Sequence, residues 1–247
     1  MWPFTAFLIV HVATGAVGLV LFWIPVTTAK GAQAHRKFGF WFSYLMYVTA
    51  SMAIGMSVNT ILAPVATHPH LTDRDPEWIR NIFGWMMVYL AILTISLVRH
   101  GLQAVRHKRE HVAHRNALDV GLQLLVMAAA VHTAWRGYRA DLPLLMGMSV
   151  VGLASGATNL FYMFRPAPAR HLMVMEHLKA LVGAGISVYT AFLAFGFVRF
   201  MPSHALNPKI WAIPLVVGLT IIIYHQARLM LEHRARSARA TATRVEA

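Results

Sequence analysis

Seven long apolar stretches leave this chain one class of fold. Residues 4–26, 38–63, 82–104, 117–135, 142–164, 171–200 and 209–231 each approach the length of a bilayer-crossing helix, about 20 residues at roughly 1.5 Å rise apiece. In hydrocarbon every backbone N–H and C=O must find its partner inside the protein, and a helix does this within each segment. The expected fold is all-α, a polytopic transmembrane helical bundle of seven spans forming one domain over residues 1–231. A basic cytoplasmic tail is expected at 232–247.

A net charge of +13 would suit a nucleic-acid binder, but its distribution along the chain argues for membrane topology instead. Lys and Arg number 15 over residues 27–37, 99–116, 164–170 and 228–247, and 6 over the alternate connections 64–81, 136–141 and 199–209. The positive-inside rule then puts the N-terminus outside and the C-terminus in the cytoplasm. The expected partners are the lipid bilayer and its anionic head groups, which would meet the tail residues Arg234, Arg236, Arg239 and Arg244; nucleic acid is not expected. The first stretch lacks a basic n-region and is too long for a signal h-region, so it is read as helix one. Trp2, Trp23, Trp41, Trp78, Trp85, Trp135 and Trp211 lie near span boundaries and read as interfacial belt residues.

Inside these spans stand ionisable side chains whose burial in lipid is costly and therefore functional by default. His177 and His225 each lie six residues from the cytoplasmic end of their spans, roughly 9 Å deep. His11 and His132 occupy the opposite side, and Glu176 and Lys179 accompany His177. The chain has no Cys, so thioether-attached haem, iron–sulfur clusters and Cys zinc sites are excluded. A metal or haem would need His, Met or carboxylate ligands.

The connection Lys30-Gly31-Ala32-Gln33-Ala34-His35-Arg36-Lys37-Phe38-Gly39 combines three cations, a histidine and two glycines. Backbone N–H groups beside positive charge suit a phosphate, a lipid head group or haem propionates. A short basic turn fixing topology has the same composition. His68, Pro69 and His70 with Asp73, Asp75 and Glu77 read as a solvated outer loop. His100, His107, His111 and His114 read as interfacial residues beside the head groups.

His11 followed by Gly15, Lys30-Gly31, His35-Arg36 and Gly39, then His177-Leu178-Lys179 continuing to Tyr189-Thr190-Ala191-Phe192, and Trp211 with Pro214 and Gly218, form a recognisable set. In these places the chain resembles the multi-span bacterial membrane proteins of domain of unknown function 2306. The resemblance implies a bacterial inner-membrane location and important positions at His11, Lys30, His35, Arg36 and His177. It implies no reaction. Where that family carries Met four residues after the helix-six histidine, this chain has Leu181, which speaks against a Met ligand there.

Equal depth on sequential helices makes His177 and His225 the expected ligand pair of a b-type haem, or of another redox centre for transmembrane electron transfer. Lys30, His35 and Arg36 would support this inner site, and His11 with His132 would form an outer one. Gly183, Ala184 and Gly185 would leave room for a porphyrin or permit close helix packing. A redox partner or a small-molecule substrate would complete such a function. One alternative is a proton- or ion-coupled transporter with His, Glu176 and Lys179 as relay. Another is an intramembrane hydrolase holding zinc or another divalent metal on His177, His225 and Glu176.

The topology is checked by reporter fusions. A fluorescent protein joined after residue 247 is expected to mature, and a phosphatase joined there to stay inactive; the reverse pattern would invert the topology.

Overall fold

A computed structural model describes residues 2–71, 73–107, 110–196 and 207–245. Among these, seven helices are long and apolar enough to cross a membrane, and no strand occurs. They are α1 (Trp2–Thr27), α2 (Gln33–Leu62), α3 (Pro76–Arg106), α4 (Ala117–Arg139), α5 (Pro143–Phe164), α6 (Arg170–Gly196) and α7 (Pro208–Val245). Each covers one expected stretch.

Local chemistry sets the boundaries. Gly31 takes φ 81° in the turn between α1 and α2, a conformation that disfavours any side chain. Asn116 caps α4 by accepting the Asp119 N–H at 3.0 Å, and proline stands in the first turn of α3 and of α5, where its missing N–H costs nothing. α3 opens through a π-helical segment, Arg80–Trp85, where Arg80 Nε donates to the Ile61 carbonyl at the end of α2 (2.9 Å).

Helix α7 continues to Val245, through residues expected to form the basic tail from 232. The segment is rich in Ala and Arg and has neither Gly nor Pro, so nothing in it opposes helix. The side chains of Trp2, Arg236, Arg239 and Arg244, named above for the belt and the tail, lie outside the described residues, as do residues 197–206 of the sixth stretch and its following loop.

α3 is the centre of the bundle. Of its most apolar window 67% is buried, and no other span exceeds 33%. It packs against α2, α4 and α6, while α1 pairs with α2, α5 with α4 and α7 with α6. Small residues set the close approaches. Gly101 of α3 meets Ala180 and Leu181 of α6, Gly185 faces the Phe22 ring of α1, and Gly183 faces Leu97. The small residues of α6 thus serve helix packing, and Ala184 is fully buried among them.

Gly152 of α5 sits against Tyr89 of α3, whose hydroxyl donates to the Met148 carbonyl at 2.8 Å. A Cβ at Gly152 would stand 2.6 Å from that hydroxyl. Gly152→Ala is expected to destabilise the bundle by about 1–3 kcal/mol, seen as a lowered thermal midpoint in detergent. Gly121→Ala, where a Cβ meets nothing within 4 Å, is expected not to lower it.

Candidate functional site

The end of the bundle that carries Lys30 brings together side chains from α1, α2, α3 and α6. The last four carbonyls of a helix have no partner within it. At the end of α1, Lys30 Nζ donates to the carbonyls of Pro25 (2.9 Å) and Val26 (2.5 Å). His35, in the first turn of α2, donates from Nδ1 to the same Pro25 carbonyl at 3.0 Å. A carbonyl only accepts, so the proton is on Nδ1 and a neutral His35 keeps its lone pair on Nε2. Burial pushes the Lys30 ammonium below its ordinary pKa.

His177 of α6 is held in the same way. Its Nδ1 donates to the Gly101 carbonyl of α3 at 2.8 Å, across the close approach that Gly101 and Ala180 permit. Its Nε2 is therefore also the unprotonated nitrogen. The rings of His35 and His177 stand 6.3 Å apart, centre to centre, at 61°. Lys30 is within electrostatic range of both and of His225, and Arg36, the residue after His35, is exposed.

His225 was the expected partner of His177; the histidine in ring contact with it here is His35. Among the described residues no ring contact joins His177 and His225; His225 instead meets the Tyr224 ring at 5.2 Å. Equal depth is a property of sequence position, whereas contact depends on the rotation of each helix about its axis. Glu176 likewise turns away from His177. It pairs with His100 Nε2 (3.2 Å) and Lys179 Nζ (2.6 Å), because adjacent residues on a helix point about 100° apart. Among the described residues no group of three or more His, Asp or Glu is arranged to hold a metal ion, so Glu176, His177 and His225 do not converge on one.

On the opposite side, His11 of α1 donates from Nδ1 to the Thr49 carbonyl of α2 at 2.9 Å. His132 of α4 packs on Trp85 (4.6 Å) and Trp135 (6.0 Å), with its Nε2 buried and unpartnered. No ring contact among the described residues links His11 to His132, so the structure does not assemble the expected outer pair.

His100 and His114, expected beside the head groups, are both enclosed by the protein. His100 is 1% exposed and His114 is fully buried. The turn His111–Arg115 folds back over the end of α5, pinned by His111 Nε2 to the Tyr162 carbonyl (3.1 Å) and Arg115 Nε to the Met163 carbonyl (2.7 Å). That places the His114 ring 4.9 Å from His100. Burial, with His100 beside it, pushes His114 down to about 4. The signal in the sequence was four histidines within residues 100–114, too many for a topology-setting loop that Lys and Arg already serve.

No protein-family model matches the chain, and no curated protein or solved structure matches it either.

His114 is neutral when folded and readily protonated when unfolded, so the unfolded chain binds more protons below the ordinary histidine pKa. Its contribution to stability is complete above pH 6.5 and is lost as pH falls toward about 4. The expected slope is at most about 1.4 kcal/mol per pH unit. Thermal midpoints of wild type and His114→Phe between pH 7 and pH 4 check this, and the variant is expected to show the shallower decline.

Proposed function

We propose that the chain is an integral membrane redox protein that holds one b-type haem between His35 of α2 and His177 of α6. The observation carrying this reading is the pair itself. Two imidazoles from different helices are each fixed through Nδ1 to a backbone carbonyl, which leaves each Nε2 as a base. Such a bond from the far nitrogen fixes ring orientation and raises ligand basicity.

The two rings are close enough that both would reach one bound group. His35 and His177 stand at 6.3 Å. The donor set matches as well, since a chain without Cys cannot attach haem by thioether bonds. Lys30 beside the pair, together with Arg36 next in sequence to His35, would suit the carboxylate groups of such a cofactor. The haem would supply one-electron transfer. The protein's own residues would hold it, set its orientation and fix its charge environment through Lys30.

The charge asymmetry of the connections supports a cytoplasmic-side location for this pair, and the family resemblance supports a bacterial inner membrane. The resemblance to the family of domain of unknown function 2306 supports the same positions, because His35, Lys30, Arg36 and His177 all belong to its pattern. A redox partner on the cytoplasmic side, or a small molecule dissolved in the membrane, would exchange electrons with the centre. Transport and metal-dependent hydrolysis have less support, the second because Glu176, His177 and His225 point to different neighbours.

The reading is tested on protein purified in detergent from cells supplied with haem precursor. A dithionite-reduced minus oxidised absorption spectrum is expected to show a b-type signature. His35→Ala and His177→Ala should each abolish it, and His225→Ala should retain it. A colourless wild type, or a spectrum lost only in His225→Ala, would sink the assignment.

A further inference from the structure

α5 leans on α4, and α6 on α3 and α7, which leaves a gap between two helices that follow one another in the chain. A cavity of about 310 Å³ fills this gap between α5, α6 and α7, a size within the range of roughly 300–1,000 Å³ usual for small-molecule sites. It lies at the same end of the bundle as Lys30, where Arg165 follows the last residue of α5. A gap between membrane spans has to be filled by something.

The walls are of two kinds. Thr158 and Arg165, Glu176 and Lys179 of α6, and Gln226 of α7 supply polar atoms, while Phe161, Leu172 and Met175 supply an apolar side. Phe161 is 73% exposed, so the apolar side is open to the bilayer. Polar atoms near the helix ends and an open apolar flank beside them match an amphiphile, with its head in the cavity and its chains in lipid.

The charges decide which amphiphile. Lys179 Nζ spans the gap, bonded to Glu176 Oε2 at 2.6 Å and to Thr158 Oγ1 at 3.3 Å. Glu176 is shared with His100 at 3.2 Å. Arg165 accepts from Arg115 through its carbonyl, but among the described residues its guanidinium forms no hydrogen bond or ion pair. Two cations thus face one carboxylate that is already engaged. The wall also holds Tyr162, 3% exposed, whose hydroxyl has no hydrogen-bond partner. A buried polar atom left in that state costs free energy.

An excess of one positive charge, with donors on several sides, complements a single negative charge carried by several acceptor oxygens. A phosphodiester has that form. A zwitterionic lipid would bring a further cation beside Arg165 and Lys179, and a free phosphate would leave the apolar flank unused. We propose that this cavity is a specific site for one anionic phospholipid, its phosphate held by Arg165 and Lys179 and its chains laid along Phe161 and Met175. The site needs no cofactor and stands apart from the haem reading.

The experiment uses the purified chain, delipidated in detergent and offered equal amounts of phosphatidylglycerol and phosphatidylcholine with identical acyl chains. Native mass spectrometry reads the lipid retained. One phosphatidylglycerol per chain is expected, at a preference of about fivefold to 25-fold, taking about fivefold for each Lys or Arg beside an anionic head group. Arg165→Gln and Lys179→Gln are each expected to cut the preference about fivefold. Lys37→Gln, which removes an exposed cation at the same end but outside the cavity, is expected to leave it unchanged. Arg165 is exposed beyond the end of α5, so its variant decides the matter even where Lys179→Gln fails to fold. Equal retention of the two lipids overturns the proposal, as does a preference that Arg165→Gln leaves unmoved or that Lys37→Gln lowers equally. Displacement of the lipid by an excess of inorganic phosphate would make phosphate alone the ligand and overturn it too.

Discussion

Where α3 and α6 touch at Gly101 and Ala180, the missing side chain of Gly101 brings a backbone carbonyl within reach of His177. In lipid, helices gain nothing from hiding apolar surface, so small residues and interhelical hydrogen bonds decide which helices stay together. The contact also selects the tautomer of His177, leaving Nε2 as its basic nitrogen. One step along both helices, the same approach seals His100 against Glu176. A Cβ at position 101 would stand 3.0 Å from Leu181 and 3.1 Å from Ala180, so these neighbours would have to give beside both bonds. The stability of the α3–α6 pair and the chemistry of the site are thus one constraint.

A second theme is the use of basic side chains on orphaned carbonyls. Lys30 closes α1, Arg80 reaches the last turn of α2 and Arg115 closes α5. Each is at a helix C-terminus, where the dipole favours a cation. Lys30 and Arg115 are also among the residues whose uneven distribution sets the expected topology. The positive charge on which the expected topology rests thus also satisfies helix ends.

The seven spans were legible because their lengths are dictated by hydrocarbon thickness and every residue adds to the signal. Partner choice was not, since it turns on the azimuth of each helix. His225 matches His177 in depth, yet His35 meets it, because α2 begins at Gln33, five residues earlier than the apolar stretch suggested. Polar residues at the start of α2 weaken the apolar signal while the helix itself continues through them. His100 and His114 were hidden for a related reason. The charge around them resembled a solvated loop, and only the fold-back of residues 111–115 onto α5 buries the pair.

Ring geometry separates histidines that can share an ion from those that merely pack. His171 and His233 stack at 4.0 Å and 22°, and His100 and His114 at 4.9 Å and 32°. Nearly parallel rings at these separations present faces to each other, and the nitrogen lone pairs lie in the ring planes, pointing elsewhere. His107 and His114 reach 6.3 Å but remain close to parallel at 29°. His35 and His177 combine that separation with a steep angle and a Nδ1 anchor on each ring. His11 has the anchor without a facing histidine, its bond serving with the Thr14–Thr49 hydroxyl pair to join α1 to α2. The inner pair joins an anchored far nitrogen on each ring to the nearness of a second imidazole.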